Sequence, residues 1–394
     1  MKRLIFTGVL IVLVYSGYAQ KYIANYEIAK ESILRSIPEE VINQARNDFH
    51  IVYWHTSHGT HVNYGMYGLQ DYKAGDDVLF AITNNDPTNN KLDFHNIYGK
   101  DLSVQEKTFD DITRDYLDDP ANADINVVMW SWCDIRGHEP ATYYLPHMQD
   151  LIDEYGEGGS KIGTGDGQRE KPVKFIFMTG HAVANDNLGD GKPKNQADII
   201  NSFCEEHHYL CLDYYSIDSH DMDDRYWEDV SDDAESADYK EATGDSISNF
   251  YKAYQYSHVL GEDYYENKSA PNGNIDFGRH LSQHITANRK AYAMWWILAR
   301  LTGWGDTPTS SVNNDEKNTE ILFNQSTRQL SIRVNNVLSS NRQVVRVYNL
   351  TGVICLEKEI ENSSISLAHL PKGIYIVSLS GGMKRAIATK ILIQ

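Results

Sequence analysis

An α/β domain built on a parallel sheet with helices on both faces, followed by a small antiparallel β-sandwich, is the architecture this sequence predicts. Three observations lead there. Short, near-continuous apolar runs rich in Val, Ile, Phe and Trp alternate with longer helical patterns between residues 48 and 304. Strands buried on both faces, with their crossover helices, read in this way. Beyond residue 316 the pattern changes to apolar/polar alternation in short segments, the mark of half-buried antiparallel strands. The composition, 41% apolar, 23% charged and 11% aromatic, belongs to a packed protein and not to a disordered chain.

The chain opens with Lys2 and Arg3, an apolar run from Leu4 to Tyr15, and a small-residue exit at Ser16-Gly17-Tyr18-Ala19. This order predicts a secretory signal peptide over 1–19, with an uncleaved anchor as the alternative; the run is shorter than a bilayer span requires. No Cys lies near the cut, so a lipid anchor there finds no support. No later stretch reaches about 18 consecutive apolar residues, so the mature chain is expected to carry no transmembrane segment. With 36 Lys+Arg against 55 Asp+Glu the net charge is −19. Such a balance argues against a nucleic-acid partner, which needs a basic face. Four cysteines are too few for a disulfide scaffold; whether Cys204 and Cys211 pair is left open.

Within 20–304, taken as one domain, the expected strands run from Asp48 to Trp54, Ile125 to Trp130, Val173 to Met178 and Tyr209 to Asp213. Helices are expected over Tyr143 to Tyr155, Asn195 to His207 and Ala287 to Leu301, the last with Thr286 as its N-cap. In open α/β sheets ligands bind beyond the carboxyl ends of the strands. The polar residues there are His55-Thr56-Ser57-His58-Gly59, then Ser131-Trp132-Cys133-Asp134, then Thr179-Gly180-His181.

Ser57, on a turn leading from a strand towards a helix, is the candidate nucleophile. Such a serine needs a base, usually a histidine from elsewhere in the chain. His284, just before the expected cap, and His280 both qualify, with His284 preferred for its place before the last helix. Asp276 would orient the ring. Gly59, Cys133, Trp132, Asp134, Gly180, His181 and His58 are the expected oxyanion and pocket residues. Cys133 reads as a small buried residue, because nothing basic adjoins it in sequence. Trp130 and Trp132 read as core and pocket wall rather than sugar platforms.

The order of these parts resembles the SGNH (GDSL-like) hydrolase family. Thr56-Ser57-His58 stands at its first block, Ser131-Trp132-Cys133-Asp134 at its Gly-x-Asn-Asp block, and His284-Ile285-Thr286 at its final histidine element. The resemblance implies a three-layer α/β fold and serine-dependent ester hydrolysis, here of a carbohydrate ester such as an acetylated polysaccharide, with no cofactor. The sequence departs from the family in three places. No Asp precedes Ser57, Cys133 replaces the oxyanion Asn, and Leu281 stands three residues before His284 where the family has Asp.

Two other function classes fit the residues. His55, His58 and His61 are spaced by three, so a metal-dependent hydrolase is one, although no acidic or Cys ligand is evident close by. A non-catalytic surface glycan-binding protein with a decayed site is the other. The segment 213–238 carries eleven Asp or Glu against Arg225 alone. It reads first as a solvated loop, with calcium at Asp218, Asp221, Asp223 and Asp224 as the functional reading.

Residues 305–316, GDTPTSSVNNDE, are small and polar and read as a linker. Beyond them, over 317–394, come Val347-Tyr348-Asn349-Leu350-Thr351-Gly352, Leu370-Pro371-Lys372-Gly373-Ile374-Tyr375-Ile376-Val377 and Lys390-Ile391-Leu392-Ile393-Gln394. These blocks resemble the C-terminal sorting domain of the Bacteroidetes type IX secretion system, with an ordinary carbohydrate-binding or Ig-like module as the alternative. The resemblance implies passage through the periplasm, engagement of the secretion machinery, and release or attachment at the cell surface, usually with removal of this domain.

Overall fold

The computed structural model describes residues 22–86, 90–231, 239–240, 246–247, 249–275, 280–305, 319–324, 328–334, 344–349, 353–359, 364–380 and 387–393. The expected signal peptide, Asp276 and nearly all of the expected linker lie outside the described residues. The chain divides into two units, Met1–Gly305 and Asp306–Gln394.

The first unit holds a seven-stranded sheet. Its strands are β1 (Ile23–Ala24), β2 (His50–His55), β3 (Ile82–Thr83), β4 (Leu92–Tyr98), β5 (Val127–Trp130), β6 (Lys174–Met178) and β7 (Cys211–Leu212). They lie in the order β1-β7-β6-β5-β2-β4-β3, and every neighbouring pair is parallel. Alternate side chains feed two separate cores. Ile51, Tyr53, Met129, Ile176 and Met178 join one with the final helix, His284–Leu301. Val52, Trp54, Val128, Trp130, Phe175 and Phe177 join the other with helices Tyr144–Tyr155 and Pro193–His207. Both faces are therefore covered, which is why the strands are apolar throughout. A short antiparallel pair, β8 (Tyr239–Lys240) and β9 (Ser246–Ile247), lies apart from the main sheet.

The final helix is buried from His284 to Arg300. It crosses helix Thr60–Leu69, all ten residues of which are buried. At Gly65 the two helices pack so tightly that an added Cβ would collide with the Ala287 carbonyl. Gly65→Ala is therefore expected to cost roughly 1–3 kcal/mol through overpacking, read as a lower urea midpoint; an unchanged midpoint would show that the crossing can give way.

The short strands β1 and β3 are not among the expected strands, and two further features differ from the sequence expectation. Strand β4 escapes the apolar-run pattern because Asp93, His95 and Asn96 interrupt it. Each has a partner: Asp93 lies 3.2 Å from His50 Nδ1, His95 lies 2.6 Å from the Tyr116 hydroxyl, and Asn96 meets His55. The final helix starts at His284 with Gln283 as its N-cap residue, so Thr286 lies inside the first turn. The Ile285 N–H is satisfied by Gln255 Oε1 at 3.0 Å, a partner 30 residues away that no local cap signal reveals.

The second unit has two antiparallel sheets. One is β10 (Thr319–Asn324), β11 (Gln329–Val334) and β14 (Ser364–Ser366). The other has β12 (Val344–Asn349) between β13 (Ile354–Glu359) and β15 (Gly373–Ser380), with β16 (Ile387–Ile393) outside β15. Leu330 and Ile365 from the first sheet meet Val345, Val347 and Val377 from the second in a single core, the sandwich that the alternation predicts.

Candidate functional site at the sheet switch point

Strand β2 pairs with β4 on one side and β5 on the other. The chain runs from β2 to β4 and then returns past β2 to β5, so the strand order reverses between β2 and β5. Beyond the carboxyl ends of such a pair lies the usual crevice of a doubly wound sheet. Here that position is filled by Thr56-Ser57-His58-Gly59 and Ser131-Trp132-Cys133-Asp134.

Ser57 opens a short 3-10 turn, Ser57–Gly59, that leads into helix Thr60–Leu69. Its φ is 26°, a left-handed value that costs a non-glycine residue about 1–3 kcal/mol. Two phenols hold the turn: Tyr53 donates to the Gly59 carbonyl at 2.9 Å and Tyr214 to the His58 carbonyl at 2.8 Å. Gly59 lets the turn settle against β5, since a Cβ there would strike Ser131 Oγ and come within 2.6 Å of His55 Cβ.

The buried His58 ring is sandwiched between two others. His181 stacks on it at 3.6 Å and 7°, and His280 at 3.9 Å and 11°. His181 is fixed by its Nδ1–H, which donates to the Ala182 carbonyl at 2.6 Å. His280 itself has a left-handed backbone, φ 65°.

His58 Nδ1 also lies 3.5 Å from Cys133 Sγ. Burial raises the pKa of the Cys133 thiol, but the hydrogen bond and charge of His58 outweigh it and leave the thiol below its ordinary value. The backbone N–H groups of Cys133 and Asp134 both donate to Ser103 Oγ, at 2.8 and 2.7 Å. Asp101 in turn caps this segment by accepting from the Ser103 N–H, and Thr56 donates to the same carboxylate. Burial, only partly offset by the Ser103 hydrogen bonds, raises the Asp101 pKa.

The remaining expected site residues are placed as follows. Asp134 forks onto Arg136, whose hydrogen bonds and charge outweigh burial and hold the carboxyl below its usual range. Trp132 is fully buried and donates to the Met178 carbonyl at 3.2 Å. Gly180 follows β6 and packs on Ile135. His284 is the first residue of the final helix, and its Nδ1 accepts from the Asn267 N–H at 3.2 Å. Of the two late histidines, His280 is the one whose ring lies on His58.

Burial pushes the His284 pKa from 6.5 down to about 4. The fold favours the neutral ring while the unfolded chain keeps its ordinary affinity for the proton. The folded state is unpenalised above pH 6.5 and loses stability as pH falls from 6.5 towards 4, by about 3 kcal/mol in all. His284→Gln is expected to flatten that part of the pH dependence of the urea midpoint, and an unaltered slope would contradict the assignment.

Of the His55, His58 and His61 trio, His58 and His61 stay near each other, with ring centroids 6.4 Å apart, but each ring has its own partners. His55 Nε2 meets Asn96 on β4, while His61 Nδ1 lies 2.7 Å from the Tyr214 hydroxyl and 3.3 Å from Lys290 Nζ. Among the described residues no group of three or more His, Cys, Asp or Glu is spaced to hold a metal ion. The acidic segment likewise has separate partners. Asp218 is fully buried against Lys290 at 2.6 Å, Asp221 accepts from the Trp227 indole and two backbone N–H groups, and Asp224 pairs with Lys30. All four cysteines are free thiols.

Sequence reasoning passed over the His58–Cys133 contact, the Asp101–Ser103 brace and the buried Asp218–Lys290 pair. The one legible signal was Lys290, a lysine inside a helix that is otherwise largely apolar.

Residues 324–394 match the family model for the secretion system C-terminal sorting domain. The chain therefore bears a type IX sorting domain and is exported to the cell surface or the extracellular space by that machinery. Among the described residues no helix is long and apolar enough to cross a membrane. Curated proteins gave no match to the chain.

Proposed function

We propose that the first unit is a secreted, SGNH-like serine hydrolase that cleaves a carbohydrate ester, with Ser57 as nucleophile and His280 as base. The observation that carries this reading is the strained Ser57 turn, at the switch point of a parallel sheet, beside the stack of His181, His58 and His280. Backbone strain at such a site argues for a functional demand on the turn.

On this reading Ser57 Oγ attacks the ester carbonyl and His280 takes the hydroxyl proton. The backbone N–H groups of the Ser57 turn hold the oxyanion. His280 then returns the proton to the leaving alcohol, and water releases the acid by the reverse path. Asp276 remains the proposed orienting residue on the strength of the sequence. Cell-surface export favours a polysaccharide ester over a cytosolic metabolite.

A second reading rests on Cys133, whose thiol adjoins His58 and could serve as nucleophile in place of Ser57. One experiment separates the two. The protein is treated with a fluorophosphonate probe and, separately, with iodoacetamide, with peptide mass spectrometry and residual acetyl-ester hydrolysis as readouts. Phosphonylation of Ser57 with loss of hydrolysis supports the serine reading. Hydrolysis that survives the fluorophosphonate but is lost on Cys133 alkylation, and is absent in Cys133→Ser, replaces it with the thiol reading.

A further inference from the structure

A cavity of about 230 Å³ opens away from the switch point, sharing no residue with it. It lies between the segment after β1, the loop following helix Tyr214–Ser219, helix Phe250–Ser257 and the final helix. This volume falls below the roughly 300–1,000 Å³ of pockets that take drug-sized molecules, so the occupant is of single-ring size.

Its wall has an unusual division of polar groups. The carboxylates are already engaged. Glu31 holds Lys73 and Arg35, Asp224 holds Lys30, Asp221 takes the Trp227 indole, and Asp263 takes the Val259 N–H. The donors are not. Tyr292 is 2% exposed, lines the cavity, and its hydroxyl has no hydrogen-bond partner among the described residues. Among the described residues Arg289, 3% exposed, has no carboxylate partner; only its Nη1 is used, on the Ile217 and His220 carbonyls and the Tyr251 hydroxyl. Tyr254 presents a second hydroxyl without a partner among the described residues, on a ring stacked against His258. A buried donor left unsatisfied is costly, so this wall calls for an occupant that accepts hydrogen bonds.

Charge narrows the class. An anion would meet four carboxylates against two cations in the lining. A cation would meet Arg289 and Lys30 and find the carboxylates taken. A neutral ring with several hydroxyls avoids both penalties. It accepts from Tyr292, Tyr254 and Arg289, donates to spare carboxylate lone pairs, and lays its C–H face on Tyr254 and Ile285. We infer that this cavity binds one neutral pyranose ring, as a glycan-anchoring site independent of the ester-cleavage reading.

The test uses the intact protein with D-glucose, D-galactose, D-mannose and D-xylose, each titrated by saturation-transfer NMR. At least one is expected to bind with a Kd in the millimolar range. Tyr292→Phe should weaken it about 5–10-fold, the loss of one hydrogen bond, with no fall in melting temperature. Tyr254→Ala should weaken it comparably. D-glucuronate and D-glucosamine should each bind at least about tenfold more weakly than the matching neutral sugar. The inference is overturned if no neutral sugar saturates, if Tyr292→Phe and Tyr254→Ala bind as well as the wild type, or if a charged analogue binds more tightly. None of these outcomes depends on whether the protein hydrolyses esters.

Discussion

Ser57→Ala is expected to lower kcat for acetyl-ester hydrolysis by roughly 10³–10⁶-fold, the range seen when a hydrolase loses its nucleophile. KM should change little, because the substitution removes an interaction made in the reaction and not in binding. His280→Ala should fall in the same range. His284→Ala should keep kcat within about tenfold. The contrast between the two histidines follows from their surroundings. His284 Nδ1 already accepts the Asn267 N–H, and its buried ring resists protonation, so it has neither the lone pair nor the proton affinity a base needs. His280 is exposed and lies against His58, next to Ser57 in the chain. A Ser57→Ala protein of native circular dichroism that keeps kcat within tenfold would end the serine mechanism, and a dead His284→Ala with an active His280→Ala would reverse the choice of base.

How far the sequence led depends on whether the relevant force is local. Strands β2, β5 and β6 were legible because burial on both faces leaves a continuous apolar run, such as Ile51 to Trp54. Strand β4 was not, because its Asp93, His95 and Asn96 are tolerated only through partners on β2 and on the helix that carries Tyr116. The turns after β2, β5 and β6 could be placed because they sit at strand ends, which sequence order alone can locate. The pairings among them were not found. Cys133 looked inert with nothing basic beside it in sequence, yet the β2–β5 register brings His58, 75 residues away, to its sulfur. The reverse holds for His55, His58 and His61. Their even spacing suggested one ligand set, but the 3-10 turn after His55 sends the three rings towards β4, Cys133 and Lys290. Spacing predicts a common face only where the backbone is regular.

Lys290→Met is expected to destabilise the first unit by about 3–5 kcal/mol, because it leaves the Asp218 carboxylate buried without its cation. Both side chains are wholly buried and 2.6 Å apart. Asp218→Asn should cost a similar amount by stranding the ammonium instead. The double variant Lys290→Met/Asp218→Leu should recover part of the loss, as buried ion pairs replaced by apolar groups often do. Recovery will be incomplete, because Asp218 Oδ2 also accepts the Ala182 N–H at 3.2 Å, beside His181. Lys290 Nζ lies 3.3 Å from His61 Nδ1, which contacts Tyr214, and Tyr214 holds the His58 carbonyl. The pair thus braces both the His181 loop and the Ser57 turn from beneath. Its loss is expected to show in the site as well as in the urea midpoint: in the cold, where the double variant remains folded, ester hydrolysis should stay depressed although stability has partly returned. A single-variant cost under about 1 kcal/mol would mean that water reaches the pair, and the brace would then be surface electrostatics of little consequence.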